Sequence, residues 1–85
     1  MPPTTFVRRT IELVINRVLE ESGRARLDLS DKQLLTKDIG LDSLDLAATI
    51  VQLEHEFGVD PFREGAPAVR TLGDLVRTYE VTLGG

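Results

Sequence analysis

Asp38-Ile39-Gly40-Leu41-Asp42-Ser43-Leu44-Asp45 runs straight into Leu46-Ala47-Ala48-Thr49-Ile50-Val51-Gln52-Leu53-Glu54-His55-Glu56-Phe57-Gly58. In the second stretch Leu46, Ile50, Leu53 and Phe57 recur at i, i+4, i+7 and i+11, a single core-facing helical stripe. The spacing predicts a helix over 43–57. Asp42 suits its N-cap, Asp45 places a carboxylate in the first turn where the helix dipole favours one, and Gly58 suits its end. Ser43 therefore stands in a first helical turn, among free backbone N–H groups that favour a covalently attached phosphate. Serine is also common there with no role, Asp42 alone doing the capping, and the position by itself favours that plainer reading.

Outward from this segment the chain reads as helical throughout. Val7, Ile11, Val14 and Val18, widened by Ile15 and Leu19, predict a helix over 5–22, with Thr4 or Thr5 as its cap and Gly23 at its end. Residues 23–41 have no clean period. Their Leu27, Leu29, Leu34, Leu35, Ile39 and Leu41 imply an ordered loop packed on the core, and a connection this long is often functional. Pro61, Gly65 and Pro67 leave room for one short helical turn at most in 59–70. Leu72, Leu75, Val76 and Tyr79 predict a last helix over 72–80, capped by Thr71 with Asp74 three residues on. The expected fold is all-α: a small bundle of three main helices, a short irregular third segment and a long first loop, forming one domain over 1–85.

Composition removes several function classes. The chain has 85 residues, no cysteine and one histidine, so thiolate zinc sites, disulfides and histidine-rich metal sites are excluded. No apolar run is long enough to span a bilayer, and Met1-Pro2-Pro3-Thr4-Thr5-Phe6 lacks a basic-then-apolar signal pattern, so a soluble, cytoplasmic protein is expected. His55 is twelve residues after Ser43, roughly 18 Å along one helix, too far to serve as its base. Glu54 and Glu56 point in different directions on a helix and make no acid–base pair. The net charge of −4 lies wholly in the middle third: residues 31–62 carry two lysines and seven acids. That repels nucleic acid and would attract a basic protein surface, though by itself such a charge run reads first as a solvated face kept for solubility.

Gly40-Leu41-Asp42-Ser43-Leu44-Asp45 resembles the phosphopantetheine attachment motif of acyl carrier proteins, whose core is Asp-Ser-Leu. Leu53-Glu54-His55-Glu56-Phe57-Gly58 resembles the end of that family's second helix, and Thr71-Leu72-Gly73-Asp74-Leu75 the start of its last. The resemblance covers essentially the whole chain. It implies a non-catalytic, monomeric carrier whose Ser43 receives phosphopantetheine from coenzyme A through a phosphopantetheinyl transferase. The thiol of that arm would hold acyl groups as thioesters and offer them to the loading, condensing and modifying enzymes of a dissociated synthase. It also implies docking of the second helix on basic partner surfaces, through Asp38, Asp42, Leu44, Asp45 and Glu56. Spacing alone leaves Leu44 equally suited to the core.

Two departures qualify the resemblance. Ala48 stands where fatty-acid members usually carry a glutamate, and Gln52 and His55 on the same broad face are uncharged. The expected pathway is therefore a specialised one, polyketide or other secondary acyl assembly, with docking that is more apolar and less salt-sensitive. Gly65 and Pro67 fall in the segment that borders the family's acyl pocket, so chain-length preference does not carry over. The competing readings are an aminoacyl, peptidyl or D-alanyl carrier, and an unmodified helical interaction module in which Ser43 only helps start a helix.

Overall fold

The computed structural model describes residues 3–63 and 68–84. Three helices are formed among them: α1 (Pro3–Glu21), α2 (Ser43–Phe57) and α3 (Leu72–Gly84). The α2 limits match the sequence reading. α1 begins earlier than expected, at Pro3, so Thr4 and Thr5 lie inside it and neither is its cap. Proline is well suited to a first helical turn, where its missing N–H has no partner to lose. α3 runs a turn beyond the expected residue 80. The apolar period stops at Tyr79, but Val81-Thr82-Leu83 contains no helix breaker, and the Thr82 hydroxyl donates back to the Thr78 carbonyl at 2.9 Å.

α1 is the central element and packs against both α2 and α3, which hardly meet each other. Its Val7, Ile11, Val14, Ile15, Val18 and Leu19 are buried with Leu53 of α2 and Leu72, Leu75, Val76 and Tyr79 of α3. At about 25 cal/mol per Å² of apolar area removed from water, such a cluster is the main stabilising term in a domain of this size. Leu46, Ile50 and Phe57, expected in the core stripe of α2, are only partly buried. Leu46 and Ile50 border the gap that α2 and α3 leave between them, while the Phe57 ring packs against Phe6 and Tyr79. The Tyr79 phenol is buried without a hydrogen-bond partner, and burial, with smaller contributions from Asp60 and Glu54, pushes its pKa up to about 12.

The loop from residue 22 to 42 packs down as expected, with Leu35, Ile39 and Leu41 buried and Leu29 half-buried; Leu27 stays exposed. Polar anchors that the apolar pattern does not reveal hold it as well. The buried Asn16 side chain donates to the Leu27 carbonyl at 3.2 Å and accepts the Leu27 amide at 2.8 Å, as a neighbouring strand would. Leu34 forms an isolated antiparallel bridge with Thr71. Around it the Leu35 amide donates to the Arg70 carbonyl at 2.9 Å and the Leu72 amide to the Gln33 carbonyl at 3.0 Å. The Gly73 amide then donates to the Asp31 carbonyl at 3.0 Å, and a Cβ on Gly73 would sit 3.2 Å from that oxygen. A larger residue there would require the loop to give by a few tenths of an ångström, so glycine suits this close approach of the loop to the start of α3.

α3 is capped as expected and more fully. Thr71 Oγ1 accepts the Asp74 amide, while the Asp74 carboxylate accepts the amides of Arg70 and Thr71. Residues 61–63 form a turn; Gly65 and Pro67 of the expected irregular third segment lie outside the described residues.

Candidate functional site

α2 begins on a full capping box. The Asp42 side chain accepts the Asp45 amide at 2.8 Å, and the Asp45 side chain accepts the Asp42 amide at 3.1 Å. This uses the Asp42 and Asp45 amides and leaves those of Ser43 and Leu44, in the first turn, without an intrahelical partner. Ser43 is the first residue of the helix and is exposed.

One residue absent from the sequence reading braces this corner. Arg24 follows Gly23, where α1 ends. Its guanidinium donates to the Ser22 hydroxyl at 2.9 Å, to the Gly40 carbonyl and to the Asp45 carboxylate. Gly40 has a φ of 88°, a left-handed turn that other residues adopt at a cost. Arg24 thus ties the end of α1 to the turn before Ser43 and to the cap of α2. A planar fork with several donors makes three such contacts where a lysine could not. The Asp45 carboxyl is held below the usual carboxylate range, first by the Asp42 amide and then by Arg24.

The expected docking residues separate into groups. Leu44 is 78% exposed and lies outside the core. Asp42 is exposed while it caps the helix. Asp38 is exposed, and its carboxylate closes the preceding turn by accepting the Leu34 amide at 2.7 Å. Asp45 differs: its side chain is only 13% exposed and engaged by Arg24 and the cap, so its first task is to hold the helix start. Glu56 is exposed, but at 100° per residue it lies about 120° around the helix from Leu44. It falls on the α1 flank with Gln52, which accepts from Arg17 of α1 at 3.3 Å. The exposed stripe through Leu44 instead contains Ala47, Ala48, Val51 and His55, with Glu54 at its edge.

Between α2 and α3 opens a cavity of about 740 Å³, within the usual range for small-molecule sites. Its walls are Leu46 and Ile50 of α2, Leu75 of α3, Leu34 and Leu35 of the loop, and Phe62 and Val69. Leu46 stands one turn along α2 from Ser43, so the cavity begins close beneath the helix start.

The match to known proteins settles what kind of molecule this is. Residues 12–79 match the family model described as the phosphopantetheine attachment site. The chain belongs to that family. A solved structure described as an acyl carrier protein from Mycobacterium tuberculosis superposes with a TM-score of 0.72 at 26% identity, over 89% of this chain and 97% of that one. The chain is accordingly a carrier of the acyl carrier type. It is not catalytic itself, is modified by a phosphopantetheinyl transferase, and serves acyl-handling enzymes. The prosthetic group is covalently attached phosphopantetheine, whose terminal thiol supplies the thioester chemistry. No metal-binding cluster of histidine and acid side chains occurs among the described residues, and no helix there is long and apolar enough to cross a membrane.

Proposed function

We propose that Ser43 is the residue that carries the arm, and that the carrier works in a specialised acyl pathway of dissociated enzymes. The observation that carries the first part is the placement of Ser43. It is an exposed hydroxyl at the first position of a rigidly capped helix, within the matched segment, with two first-turn amides and the positive helix end beside it. A phosphodiester on that oxygen gains favourable interactions without displacing any packed side chain. The cavity one turn below offers an apolar refuge for acyl cargo, and tethering keeps that cargo at high effective concentration for each docked enzyme.

The specialised pathway rests on the docking stripe. Leu44, Ala47, Ala48 and Val51 form an apolar line, with Asp42 and Glu54 as acids at its edges. Asp38 lies before it, Glu56 is set aside on the α1 flank, and Asp45 acts through the cap. A partner recognising this face meets more apolar surface and fewer free charges than an acidic helix would give, which favours dedicated partners over housekeeping ones. Intact mass after incubation with coenzyme A and a promiscuous phosphopantetheinyl transferase tests the attachment. Wild type gains one phosphopantetheine and Ser43→Ala gains none. No gain by the folded wild type would leave Ser43 a plain helix-start residue. A panel of fatty-acid, polyketide and aminoacyl loading enzymes, read against salt, tests the pathway. Full affinity for a fatty-acid enzyme with steep salt dependence would overturn the specialised reading.

A further inference from the structure

The cavity between α2 and α3 is apolar in its walls but not at its rim. Three polar residues also line it: Thr36, Lys37 and Arg70. Among the described residues that line it, both charged ones are cations and none is an acid, although the chain as a whole carries four more acids than bases. Lys37 and Arg70 are exposed residues, so their charged ends reach solvent at the opening while the leucines, Ile50 and Phe62 form the interior.

The two cations stand on adjoining backbone held in register. Arg70 precedes Thr71, the bridge partner of Leu34, and its carbonyl accepts the Leu35 amide. Lys37 lies two residues after Leu35, in a turn closed by the Asp38 and Ile39 amides donating to the Leu34 carbonyl. Acids do stand near them, and those acids have other partners. Asp38 accepts the Leu34 amide, and Asp74 accepts the amides of Arg70 and Thr71. Among the described residues neither Lys37 nor Arg70 forms an ion pair.

We propose that this cavity is matched to an acyl group that carries a carboxylate, its hydrocarbon part lying between α2 and α3 and its anion meeting Lys37 and Arg70 at the rim. The proposal rests on Ser43 as the attachment residue. A wholly hydrocarbon chain needs only the apolar walls. Two cations and a hydroxyl on a fixed segment add recognition of an anion, and guanidinium in particular forms charge-assisted bonds to a carboxylate. The phosphodiester of the arm is also an anion, but it is anchored at the exposed start of α2 and belongs to every loaded form alike.

The test uses two loads of equal carbon number. The octanoyl and suberoyl thioesters of coenzyme A, the second ending in a carboxylate, are transferred onto the whole protein by a promiscuous phosphopantetheinyl transferase. The same is done with Lys37→Gln/Arg70→Gln, whose changes lie at exposed positions, with circular dichroism to confirm its fold. Thioester cleavage by hydroxylamine is followed by intact mass, each rate divided by that of the matching free acyl-pantetheine. In wild type the suberoyl form is expected to be protected about threefold to tenfold more than the octanoyl form, the effect two partly exposed charge pairs can supply. The advantage shrinks toward none in the double variant and weakens at high salt. Equal protection of both loads in wild type would overturn the proposal, as would an advantage that persists in the double variant. So would a thermal stabilisation by Lys37 and Arg70 that is already complete in the unloaded holo form, which would assign the rim to the phosphate of the arm. Absence of any mass gain would instead overturn Ser43 as the attachment residue, and this inference with it.

Discussion

Asn16→Ala isolates the polar anchor of the long loop. Asn16 is 6% exposed, and its side chain makes two hydrogen bonds to one loop residue, at 3.2 and 2.8 Å. Each contributes about 1 kcal/mol net, so their loss costs about 2 kcal/mol. Alanine returns up to about 0.7 kcal/mol through its better helix propensity. Leu27 is partly exposed, so water can reach some of the groups left unpaired. The expected net loss is therefore about 1–2 kcal/mol. At about 4–8 °C per kcal/mol for a domain of this size, the melting temperature should fall by about 5–15 °C. Thermal denaturation followed by circular dichroism measures that fall. Amide hydrogen exchange supplies the local readout, since the Leu27 amide should lose protection well beyond the global change while the amides of α3 track it. Asn16→Leu fills the volume without the bonds and separates packing from hydrogen bonding. A shift below about 2 °C, or a Leu27 amide no more affected than α3, would refute the view that this pair pins the loop.

Three further outcomes are expected. Arg24→Ala should slow modification by the transferase about threefold to tenfold in kcat/KM, because the Gly40 turn and the α2 cap lose a shared charge-assisted brace; Arg24→Lys should recover only part, and equal rates in all three proteins would remove Arg24 from the presentation of Ser43. The Asp45 and Asp74 carboxyls are both depressed, the first chiefly by the Asp42 amide and the second by the Arg70 amide. Their contribution is complete above the ordinary carboxylate range, near pH 4, and is lost as pH falls through the lower folded values. Urea midpoints against pH should therefore fall less steeply on the acid side for Asp45→Asn and Asp74→Asn than for wild type, and identical slopes would contradict the assignment. Val51→Asp should weaken productive transferase encounters about tenfold or more, as expected for a charge set into an apolar contact, while Glu56→Gln should change them less than about twofold; the reverse order would return docking to the α1 flank of α2.

What the sequence made legible followed from periodicity and from local capping chemistry. The α2 limits, the Asp42 cap, the Gly58 stop and the Thr71–Asp74 pairing are all decided within four residues of one another, so the linear pattern contains them. The motif around Ser43 was legible for the same reason. Asn16 with Leu27, Arg24 with Gly40 and Asp45, and Leu34 with Thr71 were not. Each joins residues eleven or more positions apart, and each uses a residue type that is ordinarily exposed or unremarkable. The partial exposure of Leu46 and Ile50 was missed for a related reason. Period identifies an inward face, but it cannot say whether that face meets another helix or an open space.

The same distinction governs the acidic middle third. Counted along the chain, Asp38, Asp42, Asp45 and Glu56 look like one negative surface. In the fold Asp38 closes a turn, Asp42 and Asp45 build the cap, Arg24 partly neutralises Asp45, and Glu56 sits a third of a turn away from Leu44. Much of the formal charge therefore serves to hold the serine-bearing corner rigid, because carboxylates bound to backbone amides lower the energy of that one geometry. What remains along the outward face is a narrow apolar line with acids at its edges. A carrier must meet several enzymes in turn and leave each one, and such a face suits brief contacts in which an apolar line gives register and a few charges guide approach. The rigid corner and the sparsely charged outward face proposed for docking are thus two consequences of one arrangement, with the acids turned to internal hydrogen bonds and the small apolar residues left outside.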